Sequence, residues 1–93
     1  MITENKHKTY VSVTADFDSD GRMLPRTILW EDGVRYKVDR VKSIRPGFSA
    51  KAGGHGDCYT IMVHGRETTI FFERSAQLTG NVIGRWFVVR ASG

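Results

Sequence analysis

The sequence has little cysteine and no long hydrophobic run, and each shortage excludes a class of protein. Cys58 is the single cysteine among 93 residues, so the chain forms no internal disulfide and no zinc site built on a cysteine cluster. No apolar stretch approaches the roughly 20 residues that span a bilayer. The N-terminal residues are polar and charged, unlike those of a signal peptide. We therefore expect a cytoplasmic protein that does not contact a membrane.

The sequence also lacks a strong helical pattern and an internal repeat, and period-two alternation dominates instead. In residues 10–17, apolar side chains alternate with Ser12, Thr14 and Asp16, which is the pattern of a half-buried strand. Short strands joined by tight turns predict an all-β fold. We expect one domain, residues 1–93, that forms a small barrel (SH3-like or similar) of about six short antiparallel strands. Residues 1–7 are expected to form a flexible tail.

Residues 30–34 (WEDGV) predict a hairpin turn for which two loop lengths are possible. One is a two-residue Asp-Gly loop, and the other is a three-residue loop with Gly33 in the left-handed conformation. Only the three-residue loop places the apolar side chains of both strands on one face, because a one-residue slip turns every side chain over. Val38 and Val41 are then both expected to be buried, which predicts a β-bulge at residues 39–40.

Three further segments complete the predicted fold. His64-Gly65 predicts a two-residue turn that pairs Val63 with Arg66. Residues 75–80 predict at most one helical turn. Both faces of residues 85–90 are apolar, so this strand is expected to be central or to close the barrel.

Three alternating carboxylates, Asp16, Asp18 and Asp20, followed by a glycine, match the opening of a calcium-binding loop. That pattern requires a bidentate glutamate at the twelfth loop position, where this sequence has Thr27. An acidic hairpin turn is the better explanation.

Cys58 and the histidines do not converge on a site. Cys58 and His64 are expected on one strand, roughly 20 Å apart, and His55 with Cys58 supplies only two ligands. No histidine is placed beside the thiol as a general base, and the spacing indicates no pair of catalytic carboxylates. We predict a protein that is not an enzyme and has no catalytic residue, cofactor or metal.

The positive charge is concentrated in one central segment, residues 33–51. This segment has a net charge of +5, with Asp39 as its one acidic residue, whereas the whole chain has +4. Such a segment suits an anionic partner, and a solvated strand face is the alternative explanation. The predicted anion-binding residues are Arg35, Lys37, Arg40, Lys42 and Arg45, joined by Phe48 and Lys51 from the neighbouring loop.

That loop, residues 45–56, is long and rich in glycine. Long loops in compact domains often bind ligands. The backbone amides of residues 51–56 are able to cradle a phosphate, with Lys51 adding charge. A flexible connection is the alternative.

Two functional hypotheses follow. The first is a non-catalytic β-barrel module that binds nucleic acid or another polyanion through the basic strand and the adjacent loop. The second is a protein-interaction or accessory subunit with no nucleic-acid contact of its own. This hypothesis includes a homodimer and a subunit associated with DNA repair as two options. It is motivated by the absence of a catalytic arrangement and by the apolar residues on both faces of the last strand.

Residues 28–41 (ILWEDGVRYKVDRV) and 84–89 (GRWFVV) resemble a group of short bacterial proteins of unassigned function. These proteins share a tryptophan-turn-Gly-x-x-Tyr-x-Val pattern and a late tryptophan strand. The resemblance implies a small β-barrel, and some members are encoded near translesion DNA polymerases. It implies no catalytic or binding residue, because the matching positions are core or turn positions: Trp30, Gly33, Tyr36, Val38, Val41 and Trp86.

Overall fold

Seven β-strands form one antiparallel sheet in this protein. The structure is a computed structural model that describes residues 6–47, 56–74 and 83–91. The strands follow one another along the sheet in the order β3-β2-β1-β7-β6-β5-β4. Their bounds are β1 (Lys6–Phe17), β2 (Met23–Leu29), β3 (Arg35–Lys37), β4 (Arg40–Pro46), β5 (Gly56–Val63), β6 (Arg66–Arg74) and β7 (Gly84–Ala91). All regular elements within the described ranges are strands, so the predicted all-β fold is confirmed.

Strand β1 makes the first corner of the sheet, because its two parts pair with different strands. Lys6–Val11 pairs with β7, and Ser12–Phe17 pairs with β2, with a register shift between Thr14 and Ala15. Strand β1 therefore belongs to a five-stranded half (β4, β5, β6, β7 and the start of β1) and to a three-stranded half (the end of β1, β2 and β3). A strand that switches between sheets is a common way to turn a corner in a barrel.

The second corner lies at Val38 and Asp39, between the two edge strands of the sheet. The Val38 N–H donates to the Arg26 carbonyl of β2 at 2.8 Å, and the Asp39 N–H donates to the Met62 carbonyl of β5 at 2.8 Å. The chain thus leaves one edge of the sheet and enters the other, which curls the sheet into a half-barrel. This corner divides residues 35–46 into β3 and β4, so the structure has seven strands where the sequence predicted about six.

The predicted bulge at residues 39–40 is replaced by this change of partner strand. Val38 is buried and Val41 packs against the core, as expected, but the register shift of the β4–β5 ladder lies between Val41 and Ser43. Val38 and Val41 are three residues apart and both face the core, which shows that the period-two alternation breaks between them. They do not show whether a bulge or a switch of partner breaks it.

The hairpin turns have the predicted registers. The Trp30 N–H donates to the Val34 carbonyl at 2.9 Å, and Gly33 has a φ of 85°, so the three-residue loop is confirmed. In the β5–β6 hairpin Val63 lies opposite Arg66, which confirms the two-residue turn. Turn chemistry and apolar alternation select the same register in both hairpins.

The core occupies the inner face of the curled sheet. Trp86 contacts two aromatic rings there, with centroid distances of 4.9 Å to Tyr59 and 5.0 Å to Phe72. The Tyr59 hydroxyl donates to the Met23 carbonyl of β2 at 2.9 Å, and burial raises the pKa of this tyrosine. The buried cluster consists of Ile28, Val38, Tyr59, Ile61, Ile70, Phe72, Trp86 and Val88.

Strand β7 is central, as its two apolar faces predicted. It is the fourth of seven strands in the sheet, with Trp86 buried on the inner face and Phe87 buried on the outer face. Among the elements that the structure describes, no helix is long and apolar enough to cross a membrane.

Two predicted boundaries move. Strand β1 begins at Lys6, so residues 6–7, which were expected in the tail, pair with β7 instead. Residues 45–46 and Gly56 were expected in the loop but belong to β4 and β5. Pro46 is tolerated because β4 is an edge strand. Residues 1–5, most of the predicted loop (48–55) and the predicted helical turn (75–80) lie outside the described residues.

Candidate nucleic-acid interface

The outer face of the three-stranded half carries cations in register with hydroxyl groups. Ser12 of β1 lies opposite Leu29 of β2, which lies opposite Arg35 of β3. The next row of outward side chains is formed in the same way by Thr14, Thr27 and Lys37. The hydroxyl groups therefore lie on β1 and β2, and the two cations lie on the edge strand β3.

Five of these side chains, together with Val13 of β1, line a groove of about 200 Å³. Its lining residues are Ser12, Val13, Thr14, Thr27, Leu29 and Arg35. Hydroxyl groups and a guanidinium donate hydrogen bonds to phosphate oxygens. Contacts of this kind make up much of the hydrogen bonding between proteins and nucleic acids. The groove offers these donors without an acidic side chain in its wall.

Three of the predicted cations lie on the other edge strand, β4. Arg40 and Arg45 lie opposite Met62 and Cys58 of β5, so they point away from the core. Lys42 lies within the register shift, where its Nζ pairs with Glu67 Oε1 at 2.7 Å. This ion pair holds the pKa of Glu67 below its usual range. Lys42 is thus partly neutralised, in contrast to its two neighbours.

Elsewhere on the described surface, most cations are paired with acids. Lys8 and Arg85 bind Glu73, and Arg74 binds Asp57. The side chains of Arg35, Lys37, Arg40, Arg45 and Arg66 form no ion pair with any described residue. Four of these five cations lie between residues 35 and 45, which are the two edge strands.

Asp39 forms no ion pair with the described cations of this basic segment. Its Oδ2 accepts the backbone N–H of His64 at 3.1 Å, at the turn between β5 and β6. The one acidic residue of the segment therefore braces the second corner of the sheet, and its single charge offsets only part of the positive charge of the edge strands.

The acidic turn between β1 and β2 is internally balanced. Arg26 pairs with Asp16 at 2.6 Å, and Arg22 pairs with Asp18 at 2.7 Å and with Asp20 at 3.4 Å. The backbone N–H of Arg22 is the first cause of the lowered pKa of Asp18. The three carboxylates thus have arginine partners, which agrees with the acidic hairpin turn and leaves them poorly placed to share a cation.

A second outward cluster lies on the five-stranded half, around Glu73. One carboxylate oxygen accepts Lys8 Nζ at 2.8 Å, and the other accepts the Tyr10 hydroxyl at 3.0 Å and lies 3.5 Å from Arg85 Nη2. These partners, led by the hydrogen bond from Lys8, lower the pKa of Glu73. Phe87 lies beneath the cluster, stacked on Phe71 with a centroid distance of 5.1 Å.

Cys58 lies on the outer face between Arg45 and Phe71. Burial raises the pKa of its thiol, and the nearby Arg45 only partly opposes this. Because the thiolate is the reactive form, this environment disfavours a nucleophile at neutral pH.

The structure therefore places the five described candidates, Arg35, Lys37, Arg40, Lys42 and Arg45, exposed on two consecutive edge strands, and Lys42 is the one that is paired. Phe48 and Lys51 lie outside the described residues. The sequence reasoning missed the hydroxyl groups of β1 and β2 and the Tyr10–Arg85 contact. Period-two alternation already placed Ser12 and Thr14 outward, so the hydroxyl groups of β1 could have been found from the sequence.

Comparison with known proteins gives no match: no family model fits the chain, and no curated protein or solved structure is similar to it. The resemblance noted for residues 28–41 and 84–89 stays a prediction.

Proposed function

We propose that this protein is a non-catalytic module that binds nucleic acid through the outward side chains of its edge strands β3 and β4. The observation that carries the proposal is the uneven pairing of cations. Within the described residues, the unpaired cations concentrate at Arg35, Lys37, Arg40 and Arg45, while cations elsewhere mostly have acidic partners. A surface with this excess of positive charge attracts a polyanion.

The spacing of the two cations on β3 supports a contact with a sugar-phosphate backbone. Arg35 and Lys37 are two residues apart on one strand, or about 6.8 Å at 3.4 Å per residue. This distance is similar to that between neighbouring phosphates of an extended nucleic-acid strand. The hydroxyl groups of Thr14 and Thr27 lie in the same row as Lys37, where they are able to donate to the same phosphates.

The proposal predicts a measurable salt dependence. Each neutralised phosphate contributes about −0.9 to the slope of log K against log salt on duplex DNA and about −0.7 on single strands. Four contacts therefore predict a loss of affinity of roughly 50- to 150-fold between 50 and 200 mM salt. Fluorescence anisotropy with a labelled oligonucleotide measures this slope.

A pair of double variants with equal net charge tests the site. Arg35→Gln with Arg45→Gln removes two cations that form no ion pair with a described residue, and Arg22→Gln with Arg26→Gln removes two paired ones. We expect the first variant to reduce the steepness of the salt slope by about 1.4 to 1.8, and the second to leave it unchanged. Equal losses in both variants, or no binding at low salt, would contradict the proposal. Binding of heparin with the same slope and affinity would indicate a general polyanion site.

The accessory-subunit hypothesis has less support from the edges of the sheet. Strand β3 has three residues, and β4 carries a register shift and ends in a proline. Short, irregular edge strands resist pairing with a strand of another chain. A role in DNA repair, a cytoplasmic location and the absence of catalysis remain predictions.

A further inference from the structure

We propose that the outer face of the five-stranded half stacks an unpaired base on Arg85, so that the module selects single-stranded over double-stranded nucleic acid. This inference rests on the proposed function and names the substrate class. It is carried by the geometry of three residues, Tyr10, Glu73 and Arg85, which lie on the adjacent strands β1, β6 and β7.

The guanidinium of Arg85 lies over the ring of Tyr10. Its Cζ is 4.0 Å from the ring centroid, and its Nη2 donates to the Tyr10 hydroxyl at 3.3 Å. The same Nη2 lies 3.5 Å from Glu73 Oε1. The Tyr10 ring, the Tyr10 hydroxyl and the Glu73 carboxylate thus all contact the guanidinium, which favours this position of Arg85 before any ligand binds.

Much of the Arg85 side chain is open to solvent. The Arg85 side chain is 63% exposed, although it has two partners, and Tyr10 beneath it is 42% exposed. Unpaired bases commonly stack on arginine planes and aromatic rings in complexes with single strands. A base placed on Arg85 would continue the stack that Tyr10 begins.

The one acidic group at this site does not repel a phosphate backbone strongly. Glu73 accepts hydrogen bonds from Lys8 and Tyr10 and pairs with Arg85, and its side chain is only 16% exposed. The two cations around it outweigh its single charge. The cluster as a whole therefore offers a planar platform in a positive environment.

A cross-strand row connects this platform to the basic edge. Tyr10 lies opposite Phe87, and the row continues through Phe71 and Cys58 to Arg45 on β4. Four strand spacings of about 4.8 Å give a path of roughly 19 Å across the sheet. A single strand of a few nucleotides spans this path, with a base on Arg85 at one end and a phosphate on Arg45 at the other.

Base stacking at this site requires an unpaired strand. In a duplex each base is covered by its neighbours above and below, so its face reaches Arg85 only after unstacking. A duplex would therefore make the phosphate contacts alone, and it should bind more weakly than a single strand of the same length.

The test uses three labelled DNA probes of one length: a single strand, its duplex, and an abasic strand that keeps the phosphates without the bases. Fluorescence anisotropy at low salt gives the three affinities. For the full chain we expect the single strand to bind about 10-fold more tightly than the abasic strand, because stacking of one base supplies a gain of this order. The duplex is expected to resemble the abasic strand.

Arg85→Lys keeps the charge and removes the plane, and Arg74→Lys is the matched control on β6. We expect Arg85→Lys to lower single-strand affinity about 10-fold and to leave the abasic affinity unchanged. Arg74→Lys should change neither. Thermal unfolding of each variant verifies that the fold is retained.

Equal affinity for the three probes, or an unchanged single-strand preference in Arg85→Lys, would overturn the stacking site while leaving the phosphate-binding proposal intact. Failure of all three probes to bind would instead overturn the proposed function and this inference with it.

Discussion

The inner and outer faces of the sheet are formed by alternate residues of the same strands. They differ in how completely their polar and charged groups are paired. On the inner face, Trp86 of β7 contacts Tyr59 and Phe72, and the Tyr59 hydroxyl has a carbonyl partner. No charged residue of the described chain is buried, and no buried side-chain polar atom there lacks a hydrogen bond. On the outer face, Glu73 has three partners, whereas Arg35 has no acidic partner among the described residues.

This difference separates the residues that stabilise the protein from those that are available for a ligand. The inner face is apolar and its side chains pack against one another, so shortening any of them leaves a cavity. The outer face carries cations, such as Arg35, that form no ion pair with any described residue. Variants of the inner face should therefore lower the free energy of unfolding more than variants of the outer face. Three predictions compare this quantity.

The largest effect is expected for Trp86→Ala. Trp86 is 7% exposed and packs on two rings, so its removal should lower the free energy of unfolding by about 3–5 kcal/mol. Val89→Ala is the matched control on the outer face of the same strand. Val89 is 44% exposed, and we expect a change within about 0.5 kcal/mol. Urea unfolding followed by tryptophan fluorescence of Trp30, or by circular dichroism, measures both. A similar loss in the two variants would contradict the assignment of the faces.

A smaller loss is expected for Gly84→Ala at the start of β7. A Cβ at this position would lie 2.5 Å from Cζ of Phe72 and would also meet the Glu73 carbonyl oxygen. One side of this contact is backbone, so the ring and the strand must both shift, which typically costs about 1–3 kcal/mol. The control is Gly33→Asn, because its turn is open and asparagine tolerates positive φ. If Gly84→Ala were no more harmful than Gly33→Asn, the close packing of Phe72 over β7 would be wrong.

The smallest of the three effects is expected for Glu73→Gln, and it should depend on pH. The folded state lowers the pKa of Glu73 below its ordinary value of 4.5, chiefly through the hydrogen bond from Lys8. A lowered carboxyl pKa stabilises the folded state fully above that ordinary value, and the contribution is lost as the pH falls through the lowered value. We expect Glu73→Gln to cost about 1 kcal/mol at pH 7, discounted for partial exposure.

The difference between Glu73→Gln and the parent protein should shrink in urea titrations below pH 4.5 and vanish once Glu73 is protonated. Glu67→Gln is the control, because its pair with Lys42 is more exposed and its loss at pH 7 should be smaller. A constant difference across this pH range would show that the carboxylate charge is not what stabilises the cluster.

The sequence was sufficient to predict the parts of the fold that local chemistry decides. Gly33 permits the left-handed turn, and His64-Gly65 permits the tight one, and in both hairpins the apolar alternation selects the register that the structure has. The partner change at Val38 and Asp39 was not predictable, because it depends on hydrogen bonds to β2 and β5 that no local pattern encodes.

The candidate site was predictable to a similar extent. Alternation with Tyr36 indicates that Arg35 and Lys37 point outward, and the structure agrees. The pairing of Lys42 with Glu67 and the collection of Lys8, Tyr10 and Arg85 around one carboxylate join residues from distant parts of the sequence. Such contacts follow from strand order, which the spacing of strands along the chain does not reveal.

The pairing of β1 with β7 has a consequence for how the protein is made. Lys6 lies opposite Ala91, the largest sequence separation of any residue pair in the described ladders. During synthesis, both strands of the β1–β2 hairpin and of the β5–β6 hairpin emerge before β7. The first part of β1 lacks its partner strand, and the core lacks Trp86 and Val88, until β7 has left the ribosome. Contacts between distant segments slow folding and leave strand edges unprotected for longer. A nascent chain that stalls before β7 would therefore be the form most prone to aggregation.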